Sequence, residues 1–262
     1  MRSGKVAAAF AVLLVVSFAV MNAMPSDTLP ATLLQEAVLA LVAFAAVGFA
    51  IPDALRCCTK SVQQRNTVRF TAITLLLVGL VGGAITLLAW LFAGGGTMAC
   101  FASTGLPSTA DLMENLLLLL GICLLTGLYE ESFMRVLGIE AFERALDTKR
   151  AILASAALFA LLHVGAPDVS AGQLVFLQAA LKFGQALLFG VILGALYVRT
   201  RRLWPCAFIH AGFDVLYLAP NVLLTGTMPE TYASGAVGDT VLLAVSVLML
   251  AGIVLKIRKE IA

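Results

Sequence analysis

Two adjacent carboxylates, Glu130 and Glu131, close the apolar run LLLLLGICLLTGLYE, and Arg135 follows the second by four residues. Both histidines of the chain, His163 and His210, also lie in apolar runs, LFALLHVG and CAFIHAGFD, and Asp214 follows His210 by four. Glu36 and Lys182 are the other ionisable residues inside apolar segments. A charge in such surroundings is costly, so the groups that occur there face polar cavities and pair with one another.

The spacing defines the chemistry they can do. On a helix Glu131 and Arg135 share a face and form an ion pair, while Glu130 points about a quarter-turn away. One carboxylate can thus be held by the arginine while the other is left to react. His210 and Asp214 also share a face, so Asp214 can orient the imidazole or hold its charge. Phe159 and His163 occupy a third face. Two histidines and a carboxylate are also the ligand set of many hydrolytic zinc sites; here the set would be Glu130, His163 and His210, with a fourth position left for water. H-E-x-x-H is absent, so such a site would need three helices to converge. Plainer readings stand beside these. The two glutamates and Arg135 can be the solvated end of a helix, either histidine can bond a neighbouring helix, and Lys182 can snorkel.

The elements that must position these groups are membrane helices. Of 262 residues, 61% are hydrophobic and only 12% charged, and the mean hydropathy is +1.02, more apolar than a soluble domain can bury. The pattern predicts an all-α, polytopic membrane helix bundle with about eight transmembrane helices, over residues 6–24, 31–51, 70–92, 115–137, 151–163, 173–198, 203–218 and 240–255. Alternate loops, 25–30, 93–114, 164–171 and 219–239, contain no Lys or Arg. The opposite face receives 16 of the 17 basic residues, Arg135 among them and Lys182 excepted. By the positive-inside rule both termini are cytoplasmic, as is the Arg135 end of the fourth segment. Residues 1–262 read as a single integral membrane domain, multi-pass in the cell membrane, in contact with lipid and with no nucleic-acid partner. Segment 6–24 has the alternative of a signal peptide cleaved near Ala23. The five cysteines give no disulfide framework; Cys57 and Cys58 are juxtamembrane and open to lipidation. Gly94-Gly95-Gly96 reads as loop.

Three pieces, Glu130-Glu131-x-x-x-Arg135, Phe159-x-x-x-His163 and His210-x-x-x-Asp214, resemble in order and placement the signature of the CPBP family of intramembrane proteases, also called the Abi family. It contains type II CAAX prenyl proteases and bacteriocin-processing or immunity proteins. Leu203-Trp204-Pro205 ahead of His210 is similar to the family's lead-in, and the motif core spans roughly 112–218. The resemblance implies an endopeptidase acting on a membrane-delivered peptide or protein. Glu130 would be the general base, His163 would position the water, and His210 with Asp214 would stabilise the oxyanion. The family's third piece more often ends in Asn. An ionised aspartate cannot donate to an oxyanion, so Asp214 must be protonated or act by holding His210. Family members have been described as glutamic and as metal-dependent proteases; the reading here leans to the metal-free mechanism, with zinc as the alternative.

Two rival classes are a proton-coupled transporter relaying through these residues and a non-proteolytic immunity or scaffold protein. Depth poses a difficulty for convergence. At a rise of about 1.5 Å per residue, Glu130 lies roughly 8 Å from Arg135, His210 roughly 12 Å from Arg202 and His163 about 20 Å from Arg150.

Overall fold

The computed structural model describes residues 2–56, 61–92, 107–164, 172–229 and 233–261. Among them there is no strand, and eight long helices follow one another: α1 (Arg2–Ala23), α2 (Leu29–Ala50), α3 (Val62–Phe92), α4 (Thr109–Phe142), α5 (Thr148–Val164), α6 (Gln173–Thr200), α7 (Leu203–Thr225) and α8 (Val237–Ile261). All but α5 are long and apolar enough to cross a membrane; α5 has 17 residues. The protein is a multi-pass membrane helix bundle, as its sequence predicts. Cys57, Cys58 and Gly94-Gly95-Gly96 lie outside the described residues, and Cys123 and Cys206 are buried free thiols.

Local chemistry sets the helix ends. α2 begins at Thr28, whose hydroxyl accepts from Ala31 N–H, with Pro30 in the first turn where its missing N–H costs nothing. α4 begins with a reciprocal capping box between Ser108 and Asp111. α7 runs on past Pro220 to Thr225, beyond the boundary at 218 that the proline suggests. Gly83 of α3 lies against Leu216 O and Pro220 at that point, so the carbonyl that the proline cannot serve is covered by a close neighbour.

α4 departs most from expectation. Arg135 is not at a charged helix end: it is 0% exposed, and the helix continues seven residues further. The real end is marked by Glu140 and Glu143, both held by Arg201 at 2.7–2.9 Å. Arg201 occupies the left-handed region (φ 49°) in the tight turn from α6 to α7. Its fork on two carboxylates offsets that backbone conformation. The longer helix also places Glu130 deeper than the count from Arg135 implied, which removes much of its mismatch with His163.

Within the bundle α4 packs on α2 and α7, α5 on α6, and α3 on α7 and α8. The α4–α7 approach is set by Gly127, where an added Cβ would stand 2.6 Å from Ala207 O. Gly127 precedes Glu130 by three residues, and Ala207 precedes His210 by three. Across α5 and α6, Gly190 meets Ala156 in the same way, at 2.9 Å. Trp204 Nε1–H donates to Leu55 O (2.7 Å) and anchors the start of α7 to the turn after α2.

Two outcomes follow. Gly127→Ala should destabilise the protein by about 1–3 kcal/mol, the usual cost of overpacking, seen as a lower melting temperature in detergent. Gly252→Ala, where an added Cβ meets nothing within 4 Å, should leave it unchanged. At the helix end, burial raises the Glu143 carboxyl, but hydrogen bonds and charge from Arg201 outweigh it and hold the group below its ordinary value. A carboxyl depressed on folding adds stability above its unfolded pKa and loses it as pH falls through the folded value. The melting-temperature gap between the unaltered protein and Glu143→Gln, worth no more than about 1 kcal/mol at this half-exposed pair, should be present at neutral pH and close in acid.

Candidate active site

The π-helical segment of α4, Glu131–Ile139, begins at the second glutamate. Such turns are rare and concentrate at functional sites. Here the widened segment is buried throughout, and Ser155 of α5 donates to Met134 O at 2.5 Å, tying the two helices together.

Glu131 is enclosed. It and Arg135 are both 0% exposed, and Glu131 Oε2 lies 3.2 Å from Arg135 Nε. Its other oxygen accepts from His210 Nδ1–H at 2.8 Å. The Arg135 guanidinium lies 4.4 Å from the centre of the Phe159 ring, which covers the cation with a π face. The solvated-helix-end reading therefore does not hold for these residues.

Glu130 is placed differently, with 19% of its side chain exposed. One oxygen lies 3.9 Å from His163 Nε2 and the other 3.5 Å from His210 Nε2. Asp214 Oδ2 is 3.3 Å from the same His210 nitrogen. The tautomers follow from the partners. His163 Nδ1 sits 2.9 Å from Phe159 O, and since a carbonyl only accepts, the hydrogen is on Nδ1 and the neutral ring offers Nε2 as an acceptor. His210 donates from Nδ1 to Glu131, so its Nε2 faces two carboxylates. The Phe189 ring stands edge-on to His210 at 4.8 Å and Phe159 tilts onto His163 at 4.1 Å, fixing both imidazoles.

Two spaces meet here. An apolar cleft of about 260 Å³ runs between α1, α4 and α5, lined by Leu14, Phe18, Met21, Tyr129, Phe133 and Leu162, and reaches Glu130 and His163. A small polar cavity of about 40 Å³ lies beyond, lined by His163, Lys182, Gln185, His210 and Asp214 among phenylalanine rings. His163 borders both.

All seven residues of the sequence motifs are thus brought together from α4, α5 and α7. Lys182 joins them from α6. Glu36 does not line either space; it hydrogen-bonds with Thr126 of α4. Sequence reasoning missed Gln185 and Tyr217, which bond each other at 2.9 Å behind Lys182; a glutamine inside an apolar run was the available signal. The trio open to zinc, Glu130, His163 and His210, is brought together here. His163 and His210 address opposite oxygens of Glu130, His210 Nε2 lies between two carboxylates, and among the described residues no three His, Cys, Asp or Glu side chains converge as metal ligands.

A helical membrane bundle with a carboxylate set between two imidazoles, reached from an apolar cleft, is the class of site that the fold and geometry define. Residues 112–216, from α4 into α7, match the family model described as Type II CAAX prenyl endopeptidase Rce1-like. This segment is a CPBP-family domain, and it contains every motif residue from Glu130 to Asp214. No curated protein matches the chain.

The Glu131–Arg135 pair yields a prediction about stability. Arg135→Met should cost about 3–5 kcal/mol, because it leaves a buried carboxylate without its cation. Glu131→Gln combined with Arg135→Met should recover much of that loss. Melting temperature and monodispersity in detergent check both variants.

Proposed function

We propose that the protein is an intramembrane endopeptidase in which Glu130 is the general base that activates water. One observation carries the reading: Glu131 is fully enclosed by Arg135 and His210, while its neighbour Glu130 opens on an apolar cleft between two imidazoles. Of the two adjacent carboxylates, one is committed to structure and the other is accessible.

The steps follow from the atoms. Glu130 and His163 Nε2 are too far apart for a direct hydrogen bond at 3.9 Å, a separation that a water lying to one side bridges with ordinary contacts to both. That water presents one hydrogen to the carboxylate and one to the imidazole acceptor. It adds to the scissile carbonyl carbon, its proton passes to Glu130, and the C=O electron pair moves to oxygen. Collapse of the tetrahedral intermediate breaks the C–N bond, and Glu130 returns the proton to the leaving amine. Desolvation strengthens the base and the electrostatics around the developing charge. His210, held from one side by Glu131 and from the other by Asp214, keeps a cationic edge beside Glu130.

The match to CAAX prenyl endopeptidases supports a substrate cleaved near a prenylated cysteine, and the apolar cleft along α1 suits an attached lipid. The basic residues gathered in alternate loops support cytoplasmic termini, an arrangement that requires the 17-residue α5 to cross as well. In liposomes, the protein should cleave a quenched fluorescent peptide ending in a farnesylated Cys-Ala-Ala-Met. Glu130→Gln and His163→Ala should each lower the rate by at least about 100-fold, within the range that loss of general-base catalysis produces, with normal expression. Retained cleavage in either folded variant would contradict the assignment.

A further inference from the structure

Away from the candidate active site, a cavity of about 570 Å³ opens where α3 begins and α6 and α8 end, a size within the range of roughly 300–1,000 Å³ that ligand sites occupy. Its lining is graded. Gln63, Asn66 and Thr67 in the first turns of α3, with Arg199 at the end of α6, make a polar mouth. Phe70 and Ile192, each eight residues inside its helix, form an apolar floor, about 12 Å deep at the helical rise. No carboxylate is among the residues that line it. A cavity at a helix end that turns from polar to apolar over that depth follows the gradient of a phospholipid, with headgroup above chain.

The groups at the mouth are not used up by the fold. The side-chain amides of Gln63 and Asn66 are exposed and have no hydrogen bond among the described residues. Thr67 Oγ1 donates to Gln63 O at 3.0 Å, so toward a ligand it is an acceptor. Gln64 Nε2–H donates to Arg199 O at 3.0 Å, which ties together the two helices that form the mouth. Positive charge comes from Lys256 of α8, whose ammonium lies 4.8 Å from the centre of the Phe70 ring and is held there by the π face. That ring lines the cavity, so the cation stands at its edge. One stripe of α3 carries the cavity on into the bilayer: Asn66, Phe70, Ile73 and Leu77 succeed one another at four, three and four residues. Ile73 and Leu77 are 58% and 52% exposed.

We propose that this cavity binds one phospholipid with an anionic, hydroxylated headgroup. Its phosphate oxygens accept from the Gln63 and Asn66 amides and from the Lys256 ammonium, a headgroup hydroxyl donates to Thr67, and an acyl chain lies along Phe70, Ile73 and Leu77. A glycerol headgroup supplies both the charge and the hydroxyl. A choline headgroup has no hydroxyl and brings its own cation toward Lys256. The site stands apart from the endopeptidase reading, because it is lined by none of the residues of the candidate active site.

The test is native mass spectrometry of the full-length protein in detergent, titrated separately with dioleoyl phosphatidylglycerol, dioleoyl phosphatidylcholine and glycerol 3-phosphate. One phosphatidylglycerol per chain should bind at least about 10-fold more tightly than phosphatidylcholine. Glycerol 3-phosphate, which lacks the chains, should stay unbound at the concentration that saturates the protein with the lipid. Lys256→Gln should weaken phosphatidylglycerol binding by about 5-fold, the share of one lysine near an anionic surface. Gln63→Leu combined with Asn66→Leu should weaken it by about 10-fold, the scale of losing hydrogen bonds to a charged group. The decisive control is Arg65→Gln, which removes the same charge from a position of α3 outside the lining and should change the affinity by less than about 2-fold, as screening of a surface charge implies. All four side chains are exposed, so the variants keep the fold. Equal affinity for the two lipids, or equal losses in Lys256→Gln and Arg65→Gln, would overturn the site and leave only a general attraction to the basic face. Glycerol 3-phosphate bound as tightly as the lipid would overturn the lipid and make a soluble phosphate ester the ligand.

Discussion

A carboxylate cut off from water must be matched, and the enclosure of Glu131 by Arg135 and His210 is the requirement around which this bundle is arranged. Removing two charges from water costs several kcal/mol each, offset only where geometry and hydrogen bonds are in place. The Arg135 ion pair, the His210 hydrogen bond and the Phe159 ring over the guanidinium supply that match from three helices, with the charge of Arg135 and not its hydrogen bonds answering the carboxylate. Each contact also restrains a histidine beside Glu130. The one that satisfies Glu131 fixes the tautomer of His210, and the ring that covers Arg135 also packs on His163. Close approaches at Gly127 and Gly190 let the helices carrying these side chains come together.

The consequence is a division of labour between adjacent residues. Glu131 is structural, and Glu130, one position earlier, borders open space. Two compartments meet at Phe159 and His163, with Glu130 on the edge of the first. In the proposed reaction the apolar cleft against α1 would accept chain or lipid, and the cavity against α6 and α7 would hold groups that respond to developing charge. Hydrolysis inside a bilayer needs both, because a hydrophobic substrate must arrive without water while the reaction consumes one. Lys182 belongs to the second compartment.

Much of this was legible in the sequence. Eight apolar segments became eight helices, seven of them long and apolar enough to cross a membrane, because a bilayer-length apolar run leaves little alternative to helix. The i, i+4 pairing of Glu131 with Arg135 and of His210 with Asp214 survived intact, since local spacing settles it. What the sequence hid depends on packing at a distance. Arg135 was counted with the charged helix end because it is the first basic residue after a long apolar run. The nine residues of π-helix and the continuation to Phe142 reflect contacts with α1, α5 and α7 that no local pattern encodes. Lys182 was visible as an ionisable residue, but only the fold shows that it faces Asp214's cavity and not the headgroups. The depth mismatch expected for His163 followed from measuring α4 to the wrong end.

The central claim is that Glu130 works and Glu131 holds. A crystal or cryo-electron microscopy structure with a prenylated peptidyl ketone bound as its hydrate, a mimic of the tetrahedral intermediate, tests it most directly. The account predicts one hydroxyl of the hydrate within hydrogen-bond distance of both the Glu130 carboxylate and His163 Nε2, with Glu131 still on Arg135 and His210. A hydrate seated away from Glu130, or a Glu131 released from Arg135 to reach it, would contradict the account.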